Sequence, residues 1–203
     1  MAATANPTLE QMPKGRLAMW LLIAGEVAIF GGLIMSYILY RMKSGDAWGA
    51  QTTHTVVWAG ALNTMVLLTS SYFIVEAHAA AAKKDLVNMK KFMTWTLLLG
   101  FVFLGVKSYE YSMKFSHHIT FTSPELQVAG TASAIGSVYW SFYFLMTGLH
   151  AFHVIVGMIA IAVVMVKCAK TGENLHRVEL AGLYWHMVDI IWIFLFPLLY
   201  LAK

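Results

Sequence analysis

Charge is scarce in this sequence. Only 12% of its 203 residues are Asp, Glu, Lys or Arg, against about a quarter in ordinary soluble domains, which is too few to solvate a globule of this length. Cysteine is nearly absent as well: Cys168 alone excludes an internal disulfide and any multi-thiolate metal site, and it reads as a passive small apolar residue. Equally missing are a glycine-rich phosphate loop, a dinucleotide fingerprint and a nucleophile elbow, so soluble-enzyme chemistry has no visible home. No low-complexity block, domain linker or internal repeat divides the chain. What is abundant is apolar surface. Hydrophobic residues make up 59% of the chain, with a mean hydropathy of +0.66, and they lie in long blocks separated by short polar connectors.

A membrane span needs roughly 20 apolar residues to cross about 30 Å of hydrocarbon. Five stretches meet that length: Arg16 to Tyr40, Thr55 to Ala79, Phe92 to Met113, Gly136 to Val166 and Val178 to Leu201. They lack the strict alternation of barrel strands, and backbone groups in lipid must be satisfied within the segment, so the sequence predicts an all-α, polytopic bundle of five transmembrane helices. Residues 1–15 read as a polar N-terminal tail containing Pro7 and Pro13, and residues 16–203 as the membrane domain. The tail does not resemble a cleavable signal, whose apolar core is roughly 7–15 residues followed by small residues, so the first span is expected to be retained. The longest connector, Lys114 to Ile135, carries His117, His118, Pro124 and Gly130 and suits a surface helix or a partner contact. Ala28, Gly32 and Ser36 repeat at i, i+4 on the first span and are expected to support tight helix packing.

The formal charge of +4 follows membrane topology rather than nucleic-acid binding. Lys14, Arg16, Lys83, Lys84, Lys90, Lys91, Lys167, Lys170 and Arg177 fall on the side of the N-terminus; Arg41, Lys43, Lys114 and Lys203 fall opposite. The positive-inside rule then predicts a cytoplasmic N-terminus and an external C-terminus.

With that topology, helical rise places ionisable groups in depth. Glu26 lies about 15 Å from Arg16 and Asp189 about 18 Å from Arg177, near the bilayer middle. His186 sits one turn from Asp189, and His150 and His153 lie roughly 20–25 Å from Lys167. Charges at such depth cost several kcal/mol, so these five residues are expected to face the interior and to pair or become neutral. Three readings follow from the residues: a hydrogen-bonded network that pins helices, a proton-conducting element, and metal or haem ligation. Against a bridged metal centre stands the lack of Glu-x-x-His motifs on facing helices, whereas His186 with His150 or His153 leaves a bis-histidine haem b electron carrier open. Lys107 and Glu110, at i, i+3, form a second polar pair. Glu76 and His78 fall at an interface where they are cheap, and His54, His117, His118 and His176 lie in connectors, where solvation is the default.

The same residues resemble the subunit III family of haem-copper oxidases. The first span reads Met19-Trp20-Leu21-Leu22-Ile23-Ala24-Gly25-Glu26, the second carries Leu62-Asn63-Thr64 and Leu67-Leu68-Thr69-Ser70-Ser71, and the third ends in Tyr109-Glu110-Tyr111. The fourth offers Gly148-Leu149-His150-Ala151-Phe152-His153, and the last, Tyr184-Trp185-His186-Met187-Val188-Asp189-Ile190-Ile191-Trp192, is the most specific match. The match covers every predicted span and resembles the short bacterial form without the first two of seven helices; Lys107 departs from an expected glutamine. The resemblance implies an accessory subunit of a proton-translocating oxidase, cytochrome c oxidase foremost, in the bacterial inner membrane. It implies no catalytic residue, haem, copper or metal ligand in this chain, the cofactors being carried by catalytic subunit I and other oxidase subunits. It further implies a bound phospholipid in a cleft, support for proton uptake and for the integrity of subunit I, and membership of a larger respiratory supercomplex, with no nucleic-acid partner. Quinol oxidases and nitric oxide reductase-associated homologues share the pattern. An independent transporter is a third class, which predicts solute flux by this chain alone.

Overall fold

A computed structural model describes residues 14–52, 55–116, 131–171 and 176–201, and the following concerns these. The N-terminal tail up to residue 13, His54, and the connector residues His117, His118, Pro124 and Gly130 lie outside them. The elements are α1 (Lys14–Ser44), α2 (Asp46–Thr52), α3 (Val57–Ala82), α4 (Leu86–Ser116), α5 (Thr131–Thr171) and α6 (His176–Phe196), closed by a π-helical turn over Pro197–Leu201. Five helices are long and apolar enough to cross a membrane, in the order and near the positions that hydropathy predicts. The helices outrun the predicted spans, because interfacial residues continue the backbone hydrogen bonding beyond the apolar core. The 41 residues of α5 make a rod of about 60 Å, twice the hydrocarbon thickness.

α6 is the central helix. It packs between α3 and α5, while α3 and α5 also pack on α4. In the most apolar window of α6, 56% of residues are buried, against 6% in α1, which leans on α5 and α6. Close approach to α6 is built from glycine: a Cβ at Gly157 would stand 3.0 Å from the Trp185 ring, so α5 and α6 meet where α5 has no side chain. The expected small-residue contact on α1 is different. Ala28 and Gly32 are exposed, Ser36 is half-buried, and a Cβ at Gly25 or Gly32 would meet nothing within 4 Å. Spacing identified the stripe but not its direction, and it turns away from the bundle.

Two breaks have local causes. Gly45, at φ +55, ends α1 in the left-handed region and starts α2, whose Trp48 is fully buried against Tyr37 and Tyr139. At the other end, α3 closes with Lys84 at φ 58. The Lys84 N–H bonds Ala81 O at 3.0 Å and the Asp85 N–H bonds Ala80 O at 2.9 Å, the two bonds of a Schellman closure. Asp85 then starts α4. Its carboxylate accepts the Asn88 backbone N–H at 3.1 Å and the Asn88 side-chain amide at 2.6 Å, and these bonds hold the Asp85 carboxyl below its ordinary range.

Candidate functional site: buried polar clusters between the helices

Pro197 cannot donate a backbone hydrogen bond, and the helix widens there into a π turn. Its carbonyls find other partners: Tyr37 donates to Leu198 O at 3.1 Å and Tyr139 to Leu199 O at 2.8 Å. The widened turn sends Tyr200 inward toward α4. There Lys107 and Glu110, 3% and 1% exposed, pair at 3.0 Å. Tyr200 donates to both Glu110 oxygens, at 2.9 and 2.8 Å, and Tyr143 of α5 donates to Oε1 at 2.7 Å. The Lys107 ammonium donates to the hydroxyls of Tyr200 at 2.8 Å and Tyr143 at 3.3 Å. Lys114 lies 4.0 Å from Glu110, with its ammonium over the rings of Trp140 and Tyr143. The predicted Lys107–Glu110 pair is thus part of a cluster joining α4, α5 and the terminal turn. Tyr143 and Tyr200 were missed, since they are 33 and 90 residues from Glu110 in sequence.

The five residues placed near the bilayer middle divide into smaller sets. Glu26 on α1 stands 3.2 Å from His153 Nε2 on α5, within ion-pair distance but without hydrogen-bond alignment. The other nitrogen of His153 meets the Tyr184 hydroxyl of α6 at 3.0 Å, so Glu26, His153 and Tyr184 form a line across three helices. His186 bonds the Ser71 hydroxyl of α3 through Nδ1 at 2.6 Å. Asp189 lies beside Ser71, whose hydroxyl is taken by His186, and its two oxygens have no hydrogen-bond partner among the described residues. His150 is fully buried and its two nitrogens likewise have none. Its ring is held by aromatics instead, 5.5 Å from Phe103 and 5.1 Å from Trp192, centroid to centroid.

Smaller hydroxyls secure the rest of α3 against α6. Trp185 Nε1 donates to Ser70 at 2.9 Å and Trp192 Nε1 to Thr64 at 3.1 Å. Among the described residues, no group of three or more His, Cys, Asp or Glu side chains is placed to hold a metal ion. At the other end of the bundle, Arg16 pairs with Glu179. A groove of about 400 Å³ runs beside that pair between α1, α5 and α6, lined by Met19, Leu22, Val156, Ala160 and Tyr184, with Arg177 at its rim.

Comparison with known proteins adds the family. Residues 8–202 match the model of "Cytochrome c oxidase subunit III". The cytochrome c oxidase subunit 3 of Bacillus subtilis (strain 168) is 33% identical over 98% of this chain and 91% of its own length. A probable quinol oxidase subunit 3 from Staphylococcus saprophyticus is 32% identical, covering 99% and 96%. The heme-copper oxidase subunit I+III of Aeropyrum pernix is 31% identical over 93% of this chain and 23% of its own length, a relative in which this sequence type shares one polypeptide with a subunit I. The chain belongs to the cytochrome c oxidase subunit III family and is a multi-pass membrane subunit of a haem-copper oxidase.

Proposed function

We propose that this chain is a non-catalytic subunit that lies against subunit I of a proton-translocating oxidase and supports its integrity and proton uptake during turnover. The observation that carries this reading is the state of the buried polar groups. The largest cluster is spent on its own members and on helix-to-helix bonds, as in Glu110 with Lys107, Tyr143 and Tyr200, and among the described residues no three His, Cys, Asp or Glu side chains converge as a ligand set. Such clusters fix helix positions in lipid, where an unpaired polar group is costly. Haem and copper belong to the partner subunits. The fused subunit I+III relative supports the contact with subunit I.

The groove beside Arg177 suits a phospholipid, its apolar floor taking an acyl chain and the guanidinium facing an anionic headgroup. The chain sits in a bacterial inner membrane with its N-terminus cytoplasmic, because the basic connectors between α3 and α4 and between α5 and α6 share that side. Cytochrome c is the donor to the complex we favour; the resemblance to quinol oxidase subunits makes quinol the second reading.

The test is affinity purification through a tag on this chain, followed by mass spectrometry, a haem extract and a visible spectrum of the chain after release from its partners. Co-purification of a subunit I with all of the haem is expected. A stoichiometric Soret band on the released chain would overturn the accessory reading in favour of a bis-histidine haem carrier.

A further inference from the structure

We propose that Tyr143 and Tyr200 form a redox-active site, a sink for one-electron oxidising equivalents, with Glu110 as the base that makes their oxidation reversible. Six Tyr and Trp rings run in contact through the bundle: Trp192 to Tyr200 at 6.3 Å, Tyr200 to Tyr143 at 6.0 Å, Tyr143 to Trp140 at 5.2 Å, Trp140 to Tyr139 at 5.2 Å, and Tyr139 to Trp48 at 5.6 Å, centroid to centroid. These are the two side-chain types that lose a single electron most readily, and ring contact lets the resulting hole move between them. Tyr111, half-buried, stands 6.4 Å from Tyr143 and connects the series to the lipid-facing side.

Where the hole settles is decided by protons. Oxidation turns a phenol into a strong acid, so the hole is trapped where a base already accepts the hydroxyl. Within this series only two rings meet that condition. Tyr143 donates to Glu110 Oε1 at 2.7 Å and Tyr200 to both oxygens at 2.8 and 2.9 Å, within reach for direct proton transfer. Of the other four, Tyr139 ends on the Leu199 carbonyl, Trp192 on Thr64 and Trp140 on the Gln51 amide oxygen, groups that cannot take a proton at neutral pH, and Trp48 Nε1 has no hydrogen-bond acceptor among the described residues. Lys107, donating to both phenol oxygens, opposes the loss of an electron, so the site answers strong oxidants only.

The oxidant class a membrane supplies is the lipid peroxyl radical. One electron passes from Tyr143 through Tyr111 to the peroxyl radical, which takes a proton from interfacial water and becomes a hydroperoxide. The phenol proton moves to Glu110, leaving a neutral tyrosyl radical beside a carboxylic acid. A one-electron reductant of the ascorbate class returns the electron, and Glu110 returns the proton.

The experiment uses the full chain, free of other subunits, in lipid nanodiscs loaded with a lipid-soluble azo initiator, freeze-quenched and read by electron paramagnetic resonance with ring-deuterated tyrosine. A tyrosyl signal that narrows on deuteration and decays more slowly in D2O is expected. Tyr143→Phe/Tyr200→Phe should lose most of it. Lys107→Gln/Glu110→Gln should lose most of it too, although both phenols remain, whereas Tyr109→Phe should not change it. Circular dichroism establishes that each variant is folded. A signal that survives either double substitution, or a wild-type radical whose decay is the same in H2O and D2O, would overturn the proposal.

Discussion

Glu110 and Lys107 offer the sharpest energetic test, because the structure makes their two single substitutions unequal. Glu110→Gln leaves the Lys107 ammonium 3% exposed with only phenol and amide oxygens around it, an uncompensated buried charge costing about 3–5 kcal/mol. Lys107→Gln is milder. The Glu110 carboxylate keeps the hydroxyls of Tyr143 and Tyr200 and has Lys114 at 4.0 Å, so the loss is about one charged hydrogen bond, roughly 1.5–3 kcal/mol. The double substitution removes both charges and keeps amide groups that hydrogen-bond to each other and to the tyrosines. Lys114 retains the Trp140 and Tyr143 rings at 4.7 and 5.1 Å. The double variant should therefore lie within about 1–2 kcal/mol of wild type, against a sum of singles well above that, a coupling characteristic of groups in one network. The assay is reversible unfolding in mixed micelles, taking the denaturant midpoint and slope for all four proteins. Additive singles, or a Lys107→Gln more damaging than Glu110→Gln, would refute the reasoning.

Other substitutions test other parts of the bundle. Glu26→Gln should preserve assembly and initial oxygen reduction, since the amide still faces His153, while Glu26→Ala should cost roughly 1–3 kcal/mol through unpaired polar groups; complex yield and turnover of the two variants decide it. Gly157→Val should cost about 1–3 kcal/mol or more by forcing Trp185 aside, whereas Gly105→Ala, facing open space, should leave the midpoint unchanged or slightly higher. The Asp85 carboxyl should titrate below the ordinary carboxylate range in a carbon-detected NMR series. Because its folded value is the lower one, its contribution to the α3–α4 turn is present above the unfolded value and fades as pH falls through the folded value; Asp85→Asn should flatten that acid limb, and an unchanged limb would count against the cap.

Much of this was legible in the sequence, and the reasons differ by feature. The spans could be read because crossing lipid demands about 20 apolar residues in an unbroken run, and nothing else in the chain imitates that. Helical rise is fixed and puts Glu26 and His153 at comparable distances along their helices, and the two side chains do meet, at 3.2 Å. What depth does not give is rotation. His150 and His153 share a helix face by spacing, yet one ring packs between Phe103 and Trp192 and the other reaches Glu26 and Tyr184. The same ambiguity hid the outward direction of Ala28 and Gly32. The Glu110 cluster was half visible, as a pair at i, i+3, but its tyrosines come from other helices and one is delivered by a π turn at Pro197. Helix α2 was absorbed into a connector, although Gly45 marks its start, because seven residues are too few for periodicity to register.

The central claim is that oxygen chemistry belongs to the partners of this chain and that its own polar groups hold its helices together rather than ligate haem or copper. The most direct measurement is oxygen consumption by the oxidase complex before and after this chain is selectively removed, with haem content and the visible spectrum recorded on both fractions. The account predicts that all haem and the initial turnover stay with the remaining subunits, while activity then declines faster over successive turnovers. Haem leaving with this chain, or an immediate loss of turnover from a complex whose spectrum is otherwise unchanged, would contradict it.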